Sequence, residues 1–224
     1  MNPSRNGTVL VVAVLALVAG AAHAGVIRGT VRAPATGPSR PSLDPYAGNA
    51  NAIPGAAAPA PGRITDAVIW VEALPGSVAA ALPEAPGRRR LVQENQMFVP
   101  RVLAVPLGSE VDFPNRDAIY HNVFSLSPVQ RFDLGKYPRG QSRTVTFRRA
   151  GVAHVFCDIH SNMEAFIVVT PSRALAQPDG TGAWALPELP PGRYALVLWH
   201  PEFGESRRAV TLPAEGDVRA DLAF

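Results

Sequence analysis

HVFCDIHSNMEAF, residues 154–166, decides how this chain is read. It holds the only cysteine of 224 residues, a histidine three positions on, and one of three methionines three further. Strand alternation sets the side-chain directions here. In GVAHVFCDIH, Ala153, Val155 and Cys157 share one face of a strand, and His154 and Phe156 the other. The first set is small and apolar, so Cys157 is expected to point inward at the strand's end. His154 is expected to point away, as a surface or inter-domain residue. Beyond Cys157 the chain turns. A tight Cys-x-x-His-x-x-Met loop can bring the Cys157 thiolate, the His160 imidazole and the Met163 thioether to one point.

A fourth ligand has to come from elsewhere. The chain has five histidines. His23 falls in a candidate leader, His154 faces away, and His200 lies near the C-terminus. That leaves His121, which starts the strand HNVFS after the turn FPNRDAIY. Two histidines, a cysteine and a methionine suit copper, which favours imidazole with soft sulfur. A trigonal His₂Cys group with a long axial Met makes an electron-transfer centre. A bound metal also keeps the thiol deprotonated. Zinc seldom uses a thioether. The bland alternative is a buried inert cysteine with chance neighbours; the spacing and the upstream HNV weigh against it.

Working outward, the patterned segments are short, rich in Val, Phe and Ile, and punctuated by Gly, Pro, Asn and Asp. That pattern predicts an all-β chain. Expected strands include residues 26–33, 66–74, 90–98, 101–108, 109–115, 121–127, 142–149, 152–158, 165–171, 193–201 and 205–212. FDLGKYPRG, residues 132–140, reads as an aromatic cluster with a turn. Trp70, Trp184 and Trp199 read as core of a flanking sandwich, and His200 and Glu202 in WHPEFG as a strand-ending turn. Residues 34–63 are Pro-, Ala- and Gly-rich and read as a long surface loop.

The N-terminal MNPSRNGTVLVVAVLALVAGAAHA has a basic start, an apolar run and an Ala-His-Ala end. This is the pattern of a cleaved secretory signal. The apolar run is shorter than the ~20 residues of a spanning helix, and no later segment is long and apolar enough to span a membrane. The expected location is periplasmic or secreted, and a single lysine amid abundant Arg, Ala, Pro and Gly suggests a GC-rich bacterial genome. The net charge of +3 and scattered basic residues give no nucleic-acid surface.

Residues 97–169 resemble the cupredoxins. MFVPRVLAVPLGSEVDFPNRDAIYHNVFS is similar to the first half of a plastocyanin- or amicyanin-like domain, and GVAHVFCDIHSNMEAFIVV to its ligand-loop half. The resemblance implies a Greek-key β-sandwich with one type 1 copper held by His121, Cys157, His160 and Met163. It also implies that Asn122 ties the two ligand loops together by hydrogen bonds. Ile159, Ser161 and Tyr120 stand where amicyanins carry prolines, and Asp158 and Asn162 give the rim a polar look. RGTVRA and DAVIWVEAL, with PPGRY and HPEF, resemble the two ends of a carboxypeptidase-regulatory-like, Ig-like sandwich. Chains of this layout also resemble proteins called methylamine utilization proteins.

The expected organisation is therefore a signal peptide over 1–24, the first part of an Ig-like sandwich over 25–84, a cupredoxin domain over 85–172, and the sandwich's second part over 173–224. The expected function is one-electron transfer through copper, with no catalysis of its own. The partner would be a redox protein such as a periplasmic dehydrogenase or cytochrome. The rival reading is a metal-binding or metal-free interaction module, for copper storage or delivery or for protein or carbohydrate binding.

Overall fold

The structure, a computed structural model, describes residues 24–33, 63–84 and 89–224. The expected signal segment and the Pro/Ala-rich loop lie outside the described residues, apart from positions 24 and 63 at their margins. In chain order the strands are β1 (Ile27–Arg32), β2 (Val68–Val71), β3 (Arg89–Arg90), β4 (Val92–Glu94), β5 (Met97–Val99), β6 (Val102–Pro106), β7 (Glu110–Pro114), β8 (His121–Ser125) and β9 (Phe132–Tyr137). They continue with β10 (Ser142–Thr146), β11 (Gly151–Phe156), β12 (Glu164–Thr170), β13 (Leu175–Ala176), β14 (Ala183–Ala185), β15 (Gly192–His200), β16 (Gly204–Leu212), β17 (Val218–Arg219) and β18 (Leu222–Ala223). A 3-10 turn (Ile64–Asp66) and a six-residue helix (Gly76–Ala81) are the helical pieces among the described residues. The chain is all-β, as its strand pattern predicts.

Two sheets, ordered β6-β12-β11-β8-β9 and β10-β7-β3, enclose one core. Val105, Val123, Ala153, Val155, Ala165 and Ile167 line it from the first sheet, and Val111, Phe113 and Val145 from the second. Cys157 and Met163 belong to the same buried cluster. Two further sheets, β13-β2-β15-β16 and β14-β1-β17 with β18 also paired to β1, enclose a separate core. That core draws on Ile27 to Leu82 and on Ala174 to Leu222, so the two ends of the chain build it jointly. The central residues, Leu91 to Val169, build the other. Gly29 explains the glycine of RGTVRA: a Cβ there would run into the Ala220 carbonyl beside it.

The units meet sheet against sheet. Strand β12 shows why its sequence, EAFIVVT, is apolar without alternation. Ala165, Ile167 and Val169 face the first core, while Phe166 and Val168 face outward. There they pack with Val102 and Ala104 against Val68, Trp70, Leu175 and Trp199 of the second unit. Phe166 and Trp199 meet edge to face, with ring centroids 5.7 Å apart. Gln177 seals the free edge of β6: its Oε1 accepts from Ala104 N (3.3 Å) and its Nε2 donates to Val102 O (3.2 Å).

Three expectations need correction. Residues 90–98 form the antiparallel β4–β5 pair rather than one strand, because Asn95 and Gln96 turn the chain with φ of 57° and 55°. FDLGKY is strand β9, paired with β8, despite Gly135 in its middle. Of the three tryptophans, Trp184 is core, but Trp70 and Trp199 pack at the junction between the sandwiches.

Candidate metal centre

His121 opens β8 and is fully buried. Its position is fixed by the turn before it. Asn115, itself buried, donates from Nδ2 to Ile119 O (2.9 Å) and Tyr137 O (3.0 Å), and its Oδ1 accepts from Asp117 N (2.9 Å). This Asx-type turn aims the Asp117 carboxylate back at the strand. Asp117 Oδ2 lies 2.8 Å from His121 Nε2. The same carboxylate accepts the backbone N–H groups of Asn95 (2.7 Å) and Gln96 (2.8 Å) at the β4–β5 tip. Burial works to raise the Asp117 carboxyl, but the Gln96, His121 and Asn95 hydrogen bonds outweigh it and hold it below the usual range.

The other two donors come from the connection between β11 and β12. Those strands pair up to Phe156↔Glu164, and beyond that the loop closes by Cys157 N–H to Met163 O (3.2 Å) and Met163 N–H to His160 O (3.0 Å). Cys157 points inward, as alternation predicts, and is the one cysteine of the chain. His154 points out of that core, onto Phe166 and Phe156.

His121 Nδ1 lies 3.1 Å from His160 Nδ1 and 4.0 Å from Cys157 Sγ; His160 Nδ1 lies 3.8 Å from the sulfur. His121, Cys157 and His160 are the one group of three such residues, among the described residues, whose ligand atoms converge on a common point. Because an ionised carboxylate only accepts, the Asp117 contact places an N–H on His121 Nε2, and in the neutral ring Nδ1 is then the nitrogen free to ligate. That nitrogen faces a second imidazole nitrogen and a sulfur, three donor atoms that one metal ion can share. Metal bonds of about 2.0–2.1 Å to nitrogen and about 2.3 Å to thiolate span a triangle of this size. Met163 is 1% exposed and lies in the same apolar cluster as Cys157. The imidazole–imidazole–thiolate chemistry of His121, Cys157 and His160 suits a copper ion.

Asn122 does something other than the resemblance implies. Its Nδ2 donates to Asp133 Oδ1 (2.7 Å) on β9, not to the Cys157 loop, and its buried Oδ1 has no hydrogen-bond partner. The reason is register: Asn122 pairs with Lys136, and a bulge in the β8–β9 ladder brings Asp133 within reach. Sequence reasoning missed Asp117 and Asn115. The signal was present in NRD, an Asx-turn residue followed by an acid four positions before His121. The rim is mixed, with Asp158, Ser161 and Asn162 exposed as expected. Beside the ligands, Ile119 (41%), Tyr120 (59%) and Ile159 (41%) are exposed apolar residues.

No family model matches this chain, and no curated protein does either. Among solved structures it is similar to a purple cupredoxin from Nitrosopumilus maritimus, at 20% identity and a TM-score of 0.34, over 37% of this chain and 99% of that one. It is similar to an oxidised amicyanin variant at 25% identity and a TM-score of 0.35, over 41% of this chain and 89% of that one. A copper-containing nitrite reductase from Thermus scotoductus SA-01 matches at 26% identity and a TM-score of 0.37, over 41% of this chain and 26% of that one.

Proposed function

We propose that this protein is a cupredoxin-type electron carrier that holds one type 1 copper between His121, Cys157, His160 and Met163. The observation that carries the reading is the convergence of His121 Nδ1, His160 Nδ1 and Cys157 Sγ, with His121 Nε2 already committed to Asp117. Bound copper would supply a one-electron couple. The chain's own residues supply the rest. Asp117 fixes the ring orientation and tautomer of His121. The core around Cys157 and Met163 excludes water from the sulfur side. His160 is only half-buried, and Tyr120 and Ile159, which flank His121 and His160 in sequence, are exposed, giving the site an edge that a protein partner can approach.

The partner in this reading is a one-electron redox protein, such as a periplasmic dehydrogenase or cytochrome, and the chain is exported and not an enzyme by itself. We further propose that residues 85–172 form the copper domain and that the flanking segments form one Ig-like sandwich split by it, the layout of methylamine utilization proteins. Among the described residues no helix is long and apolar enough to cross a membrane. The test is to add Cu(II) to the purified protein and record the visible spectrum and a voltammogram. An intense thiolate-to-copper band, absent from Cys157→Ala, with a reversible couple is the expected result. Weak colourless binding without a couple would leave storage or delivery, and no binding a metal-free interaction module.

A further inference from the structure

Outside the metal centre, the densest ionic cluster lies at the junction of the two sandwiches and is organised by Arg101. This residue precedes β6, and its guanidinium reaches three carboxylates on three different segments. Nη1 lies 3.0 Å from Asp66 Oδ2 and 3.3 Å from Glu202 Oε1, both in the second sandwich. Nη2 lies 3.2 Å from Glu164 Oε1, at the first residue of β12. Glu164's other oxygen lies 2.9 Å from His154 Nε2. The Arg101 main chain is tied in as well, because its carbonyl accepts the Phe166 N–H (2.8 Å). Its guanidinium also sits over the Phe166 ring, 5.7 Å from the centroid.

Glu164 occupies a particular place. It follows Met163 directly, and with Phe156, which precedes Cys157, it forms the last ladder pair before the ligand loop. Whatever fixes Glu164 therefore fixes both feet of that loop. The methionine side chain is unbranched and adaptable, so the position of its sulfur depends on where the backbone holds it. We propose that Arg101 is a positioning residue, linking Asp66 and Glu202 of the second sandwich to Glu164 and thereby setting the geometry of the loop 157–163 and of Met163. The second sandwich then acts on the metal through a chain of three contacts. The inference rests on the copper reading for its effect on the metal, because the axial ligand tunes the potential of such a centre.

The cluster is not an ordinary surface pair. Arg101 is 25% exposed, Asp66 8% and Glu202 13%. A shared planar guanidinium holds several carboxylates at once, which an ammonium group cannot reproduce. Removing it would take away the one group that links Asp66 and Glu202 to Glu164, leaving the Glu164 carboxylate held by His154 alone on the first sandwich's side.

Three full-length proteins test this against wild type: Arg101→Gln, Arg101→Lys, and the pair Asp66→Asn with Glu202→Gln. Two measurements are made. The first is the reduction potential and visible spectrum of the Cu(II)-loaded protein. The second is hydrogen exchange of the amides of residues 158–164 in the metal-free protein. Arg101→Gln is expected to shift the potential, alter the relative band intensities and speed loop exchange by about tenfold, the scale of one lost ion-pair network. Arg101→Lys should recover part of each change. The Asp66/Glu202 pair should move the same readouts in the same direction by less, and it carries the test if Arg101→Gln does not fold. Wild-type values in both the Arg101→Gln protein and the pair, or in the pair alone if Arg101→Gln does not fold, would overturn the proposal. If wild-type protein takes up no copper, the copper reading fails, and hydrogen exchange alone decides whether Arg101 positions the loop.

Discussion

His121 and His200 are both fully buried, both end or begin a strand, and both sit beside an acidic residue close in sequence. Their surroundings differ in the one respect that matters for chemistry. His200 uses both ring nitrogens within the protein: Nε2 lies 3.2 Å from the Arg63 carbonyl, and Nδ1 accepts from Glu202 N–H (3.1 Å). Its ring stacks on Phe203 with centroids 4.5 Å apart and touches Phe224 edge-on. His121 uses only Nε2, on Asp117, and aims Nδ1 at another imidazole and a thiol. Burial alone does not mark a functional histidine. A buried ring nitrogen aimed at a second imidazole nitrogen and a sulfur does, because these three atoms are donors that one metal ion can share.

The largest effects should separate the two residues. His121→Ala and Cys157→Ala are each expected to abolish the thiolate-to-copper band. His200→Ala should leave the band and lower stability, by roughly 1–3 kcal/mol for each of the two backbone groups it strands. Visible absorbance and thermal unfolding read the two outcomes from the same samples. Loss of the band in His200→Ala, with the protein still folded, would break the comparison.

A smaller effect sharpens the His121 side of it. Asp117→Asn keeps the shape but can turn an N–H toward His121 or toward the Asn95 and Gln96 amides. The expected result is a fall in copper affinity of about 10–100-fold, the usual cost of losing a partner behind a ligating histidine. A competition titration with a coloured chelator measures it. Unchanged affinity would mean that the Asp117 contact serves only the β4–β5 turn.

The pairing of Cys157 with His160 was legible because it is local: rare residue types at short spacing, on a strand whose alternation already says which side Cys157 faces. The all-β class was legible for the same reason, since each short strand carries its own pattern. What escaped the sequence depends on pairs distant along the chain. Trp70 and Trp199 look like core residues in isolation, and only the packing of β2 and β15 on β12 makes them a junction. Asn122 bonds Asp133, whose place is set by the bulge in the β8–β9 ladder. Asp117 reaches His121 only because Asn115 folds the turn between them. Arg101 gives no sign in sequence that it gathers residues 66, 164 and 202.

The smallest effect concerns acid, and its sign follows from the His200 surroundings. Burial holds the folded His200 below its ordinary value of 6.5, against the opposing pull of the Arg63 carbonyl and of Glu202 and Asp66; Arg101 adds to the lowering. A protonated ring would also turn a second N–H against the Glu202 N–H that Nδ1 now accepts. The unfolded chain therefore binds this proton more readily than the folded one. The contribution of neutral His200 is complete above about pH 6.5 and is lost as pH falls through that value toward the lowered folded pKa. The metal-free protein should thus lose stability between about pH 7 and pH 5. The quantity to read is the difference between wild type and His200→Gln in the pH dependence of the unfolding midpoint. Wild type should fall more steeply than the variant. Parallel curves would mean that the acid response belongs to other groups and that His200 is protonated as easily folded as unfolded, which its burial and the Glu202 N–H that Nδ1 accepts argue against.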